Sequence, residues 1–261
     1  ELFGLIHFVF FSPEDLSIIK NGPAERRHFL DSELCQLDKV YLYQLSNYNK
    51  VVLQRNKLLK ELYLHPDYRE VLDVLDMQLV QYGSALIQRR QTFAEELGEI
   101  VHRIHSQLSG GQEEMELKYE PNVTVDAFAQ MLFANRERDM RLKTTATGPH
   151  RDDISFVVNG VDIRKFGSQG QQRTAALSLK LSEIELVKRL IGDTPVLLLD
   201  DVLSELDSGR QNYLLNSIEN IQTLITCTGL DEFVNHRFSI NRIYKVTDGS
   251  VTVENKQEAD R

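Results

Sequence analysis

Between residues 72 and 108 apolar side chains recur in steps of three and four. Leu72, Leu75, Leu79, Tyr82 and Leu86 open the series, and Phe93, Leu97, Ile100, Ile104 and Leu108 resume it. A mean step of about 3.5 residues sustained over about 35 positions predicts one long helix with an apolar seam. A seam of that length must be covered, and the segment before it is the natural cover. From 24 to about 64 the pattern is also helical, with Leu30, Leu34, Leu37 and Val40 three to four apart. The two are expected to pack as a short antiparallel coil, although a long helix in an ordinary bundle fits the pattern equally well. Arg89-Arg90 sits where the seam skips a step, which suits a short coil better than a long rod.

The chain on either side of this block is of another kind. Residues 5–11 read as a buried strand, and Ser12-Pro13-Glu14-Asp15-Leu16 as a turn into a short helix. A core strand so near the start, with no leader before it, is expected of a truncated piece. After the long helix, 109–122 reads as a polar loop and 124–142 as a helix. Asn159-Gly160 between 154–158 and 161–165 predicts a hairpin. A helix over 171–191, stopped by Gly192, precedes an apolar strand at 196–199. A helix at 208–218, a strand at 223–228 and a hairpin around Asp248-Gly249 complete the α/β pattern. Both ends are expected to join one sheet-bearing lobe, with the helical block inserted between them.

Composition excludes some classes. Two cysteines far apart, Cys35 and Cys227, provide neither a disulfide framework nor zinc-ligand spacing. No apolar run reaches membrane-spanning length. A net charge of −9 is wrong for a protein that coats nucleic acid through its overall field, so any DNA contact needs a local basic patch. Arg26-Arg27, Arg89-Arg90 and 136–143 are the candidates, against the plainer reading of solvated helix faces.

The residues that point to chemistry lie between 168 and 207. Val196-Leu197-Leu198-Leu199 is apolar throughout, as strands buried on both faces are, and Asp200 and Asp201 follow at its carboxyl end. Ligands of open α/β sheets bind there. One carboxylate there can hold Mg²⁺, and a second, one residue on, can orient an attacking water; the plain alternative is that Asp200 and Asp201 both cap the next turn. Ser168-Gln169-Gly170-Gln171-Gln172-Arg173 opens a helix, and a helix N-terminus with a serine and a glycine suits a phosphate. Ser204-Glu205-Leu206-Asp207 follows the strand. A second string, Leu108-Ser109-Gly110-Gly111-Gln112, reads as a glycine-rich helix stop, because Glu113, Glu114 and Glu116 crowd it with acids and no long helix begins there. Substitution of Ser109 is therefore expected to be silent. None of the 14 glycines precedes a lysine, so these residues contain no G-x-x-x-x-G-K-[ST] loop.

Gly148-Pro149-His150-Arg151-Asp152-Asp153, Gly167-Ser168-Gln169-Gly170-Gln171-Gln172-Arg173 and Leu198-Leu199-Asp200-Asp201-Val202-Leu203-Ser204-Glu205-Leu206-Asp207 together resemble the RecF family of bacterial recombination mediators. Phe11-Ser12-Pro13-Glu14-Asp15-Leu16 and Arg26-Arg27-His28-Phe29-Leu30-Asp31 extend the resemblance. It covers about residues 5–250. It implies an ABC-type ATPase lobe formed by 1–23 and 143–255, with a helical lobe over 24–142. It implies ATP and Mg²⁺ as ligands and an ATP-dependent homodimer. Asp200 matches the metal carboxylate. Ser168, Gln169, Gly170, Gln171 and Gln172 match the signature loop that meets the other subunit's nucleotide, and Ser204 and Asp207 match the D-loop. Asp201 stands where such ATPases usually have glutamate, so slow hydrolysis is expected. Thr228 lies where transporters carry a switch histidine, and none follows until His236, which argues against a transporter subunit. The implied role is cytoplasmic, at single-strand gaps or junctions in DNA, with RecR and RecO, to load RecA. Without the phosphate loop this chain is expected to be inactive alone. The other readings are a non-catalytic scaffold and an SMC- or Rad50-like structural ATPase.

Overall fold

The computed structural model describes residues 6–61, 69–227 and 241–254. The elements run β1 (Phe8–Phe11), α1 (Leu16–Lys20), α2 (Pro23–Leu37), α3 (Lys39–Glu61), α4 (Arg69–Leu108), β2 (Met115–Glu120), α5 (Val125–Ala134) and α6 (Arg136–Leu142). They continue β3 (Asp153–Val158), β4 (Val161–Asp162), α7 (Ile163–Phe166), α8 (Gln169–Ile191), β5 (Val196–Asp200), α9 (Ser208–Ser217), β6 (Thr223–Thr226), β7 (Ile243–Thr247) and β8 (Ser250–Glu254).

The long helix is present as α4, whose 40 residues span about 60 Å. Leu72, Leu79, Leu86, Phe93, Leu97 and Ile104 are all buried along it. Helix α3 lies antiparallel on the first half of α4, because Tyr41 and Arg55 meet Arg90 and Asp76 in reverse order. The Val40 expectation fails. Val40 is exposed because the helix breaks at Asp38, whose carboxylate accepts from the Val40 and Tyr41 amides at 2.8 and 3.1 Å. That cap restarts the helical phase, and Tyr41 and Tyr48 take the buried positions.

The two ends do meet. β1 pairs parallel with β5, Phe8 opposite Val196 and Phe11 opposite Leu199, and β6 flanks β5 on its other side. β1 packs against α8, and Val9, Phe11, Leu197 and Leu199 are buried. Burial of 196–199 on both faces is not observed. Val196 and Leu198 are half-buried, and Phe8, Phe10 and Leu224 are exposed. Among the described residues helices cover one face of this sheet only.

Two further expectations are corrected. Within 109–122, residues Met115–Glu120 form a strand, antiparallel to β3 from Met115 opposite Val158 to Glu120 opposite Asp153. Its alternation was readable: Met115, Leu117 and Tyr119 are separated by Glu116 and Lys118. The second hairpin arm ends at Asp162, whose side chain accepts from the Arg164 amide at 3.0 Å and starts α7.

Buried arginines join these parts. Arg90 donates to Asp152 at 2.9 Å, Asp31 at 2.7 Å, the Pro149 carbonyl at 2.7 Å and the Tyr41 hydroxyl at 2.9 Å. Asp152 also accepts from the Tyr119 hydroxyl and the Asn122 amide. Arg26 holds both oxygens of Asp153 at 2.6 and 3.0 Å. Arg55 holds Asp76 and Asp139 at 2.6 and 2.7 Å. Arg26 and Arg90 therefore cannot form a DNA-contacting surface. Arg27 and Arg89 are partly buried, turned to the Asp152 carbonyl and to Asp38. In the third cluster Arg136 pairs with Asp73 and Asp76, and Arg138, Arg141 and Lys143 are exposed.

Gly148 has a φ of 133°, and a Cβ there would lie 2.3 Å from the Tyr48 hydroxyl. This close approach lets Tyr48 reach His150 Nδ1 at 2.7 Å, while Nε2 lies 3.0 Å from the Thr145 carbonyl. A carbonyl only accepts, so Nε2 carries the proton and Nδ1 accepts from Tyr48. Burial, with Arg151 and Arg27 adding to it, pulls the His150 pKa from an ordinary 6.5 to about 4. The unfolded chain therefore takes up this proton as pH falls through 6.5, and the folded chain only near 4. Stability is full above 6.5 and falls between 6.5 and 4, by up to about 3 kcal/mol. Urea midpoints against pH should show this loss, and His150→Gln should remove most of that slope. An equal slope in the variant contradicts the assignment.

Candidate functional site

β5 delivers Asp200 and Asp201 to its carboxyl end. Asp200 is exposed, and its Oδ1 accepts from the Thr226 hydroxyl on β6 at 2.5 Å. Asp201 adopts the left-handed conformation, φ 50°. Its amide lies 3.1 Å from the Thr226 carbonyl and 3.2 Å from its hydroxyl. Its Oδ1 is buried with no hydrogen-bond partner among the described residues. A left-handed non-glycine residue costs about 1–3 kcal/mol, and an unsatisfied buried carboxylate oxygen adds to that. Ser204 is exposed, and its hydroxyl donates to the Asp201 carbonyl at 2.8 Å, fixing the turn.

Ser168 is the N-cap of α8. Its Oγ accepts from the Gln171 amide at 3.2 Å, and the Gln171 Oε1 accepts from the Ser168 amide at 3.0 Å, which completes a capping box. Ser168, Gln169 and Gly170 are exposed at the positive end of this 23-residue helix. Among the described residues a Cβ on Gly170 would meet only Ser168 Oγ, at 3.8 Å, so none of them requires glycine there. Gln172 is a correction: its side chain is buried and donates to the Ile163 carbonyl at 2.8 Å, so its amide is not offered to a phosphate. Gln171 donates through Nε2 to Glu113 at 2.9 Å, so both ends of its side chain are also occupied.

Asp207 caps α9, accepting from the Arg210 amide at 3.0 Å and pairing with the Arg210 guanidinium. The amide bond holds the Asp207 carboxyl below its ordinary pKa. Arg210 also donates to Thr174 Oγ1 at 2.5 Å, which donates to the Gly170 carbonyl at 2.8 Å. The turn capped by Asp207 and the first turns of α8 are thus joined through Arg210. Among the described residues no hydrogen bond or ion pair joins Asp200 or Asp201 to residues 168–172. Sequence reasoning missed Arg210, although its spacing from Asp207 is that of an i, i+3 helix pair. It also missed Glu113, whose contact is long-range.

The second string is a helix stop, as expected. Gly110 and Gly111 are left-handed, and the Gly111 amide bonds back to the Ser106 carbonyl at 2.7 Å. Ser109 Oγ accepts from the Glu113 amide at 3.2 Å, and the Glu113 carboxylate accepts from Gln171, so the string is linked by hydrogen bonds to the 168–171 turn. Thr228 and His236 lie outside the described residues.

A divalent ion fits the Asp200 end of the sheet. Magnesium takes one or two carboxylates and completes its shell with water and phosphate, and Asp200 offers an exposed carboxylate with one oxygen committed to Thr226.

Asp207→Ala should cost about 1 kcal/mol of stability through the lost cap, and Asp207→Asn should recover most of it. Urea denaturation of both variants checks this; equal losses would show that the ion pair with Arg210, not the cap, holds the turn.

No protein-family model matches the chain. It is 61% identical over 253 residues to the DNA replication and repair protein RecF of Agathobacter rectalis, covering 97% of this chain and 70% of that protein. It is 43% identical over 256 residues to RecF of Clostridium perfringens, again covering 70% of the relative. The structure of the recombination mediator protein RecF-ATP in the RecFOR pathway superposes with a TM-score of 0.89 at 36% identity, over 98% of this chain and 69% of that one. With identity of this level spread over nearly its whole length, and the same α/β fold, the chain belongs to the RecF family of DNA replication and repair proteins.

Proposed function

We propose that this chain supplies the signature-loop half of an ATP sandwich between two subunits. The observation that carries the reading is the exposed N-terminus of α8. Ser168, Gln169 and Gly170 lie open to solvent there, and the glycine leaves space that none of the described residues fills. Free amides at a helix N-terminus favour a phosphate. Gly170 lets a second subunit's γ-phosphate approach, and Ser168 supplies the hydroxyl. Gln171 and Gln172 act as braces for the loop, and Gln169 is its exposed polar contact. Asp207 and Ser204 shape the D-loop beside it.

On its own subunit, Asp200 takes Mg²⁺ and Asp201 orients water. The metal supplies charge neutralisation for the phosphates. Asp201 reaches less far than a glutamate, consistent with slow turnover. We read 1–23 and 143–255 as the ATPase lobe and 24–142 as the inserted lobe, with β2 reaching back to β3. Membership of the RecF family supports reading the role as binding at single-strand DNA gaps or junctions in the cytoplasm, with RecR and RecO, to load RecA. Of the three basic stretches, the one left for DNA is α6 and its end, where Arg138, Arg141 and Lys143 are exposed and Arg136 lies over the exposed Phe133 ring. Salt-dependent phosphate contacts with a stackable ring suit single-stranded DNA.

The test mixes this chain with full-length Agathobacter rectalis RecF whose own matching serine is replaced by arginine, so that it binds ATP but offers no signature loop. Light scattering should detect an ATP-dependent one-to-one complex with the unsubstituted chain and none with its Ser168→Arg variant. The chain alone should show no magnesium-dependent turnover. A complex that forms equally with the Ser168→Arg variant would overturn the reading, as would turnover by the chain alone.

A further inference from the structure

We propose that Glu113, gripped by His105 at the end of α4, is a positioning residue for the signature loop. The proposal rests on the sandwich reading above for its functional consequence, though not for its geometry.

Glu113 lies between two elements distant in sequence. Its Oε1 accepts from Gln171 Nε2 at 2.9 Å, and its Oε2 lies 3.1 Å from His105 Nε2. His105 is fully buried, and its Nδ1 lies 3.0 Å from Ser178 Oγ, two turns into α8. Gln171 in turn accepts from the Ser168 amide. Four links therefore run from the loop through Glu113 and His105 and back into the same helix. α8 is held at its first turn and again at Ser178 by one carboxylate–imidazole pair. That pair comes from the last turn of the long helix and the segment just after it.

The proton positions follow from the partners. A carboxylate only accepts, so His105 Nε2 carries the proton toward Glu113. Nδ1 then accepts from the Ser178 hydroxyl, which otherwise turns to the Thr174 carbonyl at 2.7 Å. Burial lowers the His105 pKa, opposed by Glu113 and helped by Arg210 and His102, which favours this neutral form.

The chemistry separates positioning from support. His105 is core, but Glu113 is partly exposed and Ser168 fully so. Truncating Glu113 opens no cavity. What it removes is the acceptor that holds Gln171 in its capping geometry, together with the acceptor of the buried His105 Nε2–H, so the loop loosens and the fold loses some stability. A displacement of α4 moves His105 and Glu113 together, and so reaches the loop directly. Glu113→Gln should preserve the links: its oxygen accepts from Gln171, and its amide donates to His105 Nε2 once the ring proton moves to Nδ1 and faces Ser178.

Two measurements on the 261-residue chain test this. The first is amide exchange at Ser168 and Gln171, without nucleotide. The second is the ATP concentration for half-maximal complex formation with the serine-substituted Agathobacter rectalis partner. Glu113→Ala should raise both about tenfold, the scale of one hydrogen bond to a charged group. Glu113→Gln should stay within about twofold of the unsubstituted chain, because it restores the same bonds. Unchanged exchange in Glu113→Ala would overturn the proposal, as would a Glu113→Gln loss equal to that of Glu113→Ala. If the unsubstituted chain forms no complex with ATP, the sandwich reading fails, and the exchange measurement still decides the brace.

Discussion

A guanidinium buried as deeply as that of Arg90 has to be paired, and its pairing organises the fold. Removing one partner of a buried ion pair costs about 3–5 kcal/mol, because the other charge is left without water. Arg90 meets Asp31 on α2, Tyr41 on α3, the Pro149 carbonyl and Asp152 just before β3. Asp152 in turn takes Tyr119 from β2 and the Asn122 amide. One side chain in the middle of α4 thus fixes the coil against the strands that precede α8. The run from Gly148 to Asp153 is explained by this duty: Gly148 admits Tyr48, His150 clasps it, and Asp152 and Asp153 receive Arg90 and Arg26.

What the sequence disclosed depended on how far each signal extends. The seam of α4 repeats for many turns, so it was readable without knowing the partner. The joining of 5–11 to 196–199 was readable because both runs are apolar and bounded by turn residues, and β1 and β5 indeed pair in parallel. Val40 was misread because the three-to-four rhythm passes through Asp38, and only the capping bonds reveal a break there. β2 was missed although its alternation is legible: half its residues are charged and face solvent, and in composition alone such a strand resembles a loop. The arginine pairs were misread because a string of letters gives charge and not burial. Arg26 and Arg90 look like surface cations until Asp153 and Asp152 are found opposite them.

At the site, the individual segments were legible and their mutual support was not. The helix opening at Ser168 and its stop at Gly192 follow from local chemistry and stand as expected, and Asp207 caps α9 by the same local chemistry. The bonds that hold them in relation run between elements far apart in sequence: Arg210 to Thr174, Glu113 to Gln171, Thr226 to Asp200. They also redistribute the roles. Gln171 and Gln172 look like phosphate donors in the sequence, yet their side chains are tied within the chain. The open contacts are Ser168, Gln169 and the space over Gly170. Asp201 adds a left-handed backbone and a buried oxygen without a partner among the described residues, a local cost that a purely structural turn has no reason to keep.

The central claim is that the N-terminus of α8 meets a γ-phosphate held by another subunit. It is tested most directly by an ATP analogue bearing a photoreactive group on its γ-phosphate. The analogue would be bound to a full-length relative that carries the phosphate loop, mixed with this chain, irradiated and mapped by peptide mass spectrometry. Label on this chain is expected within 168–173, and only when the relative is present. Label concentrated at 109–114, or label on the chain without the relative, would contradict it.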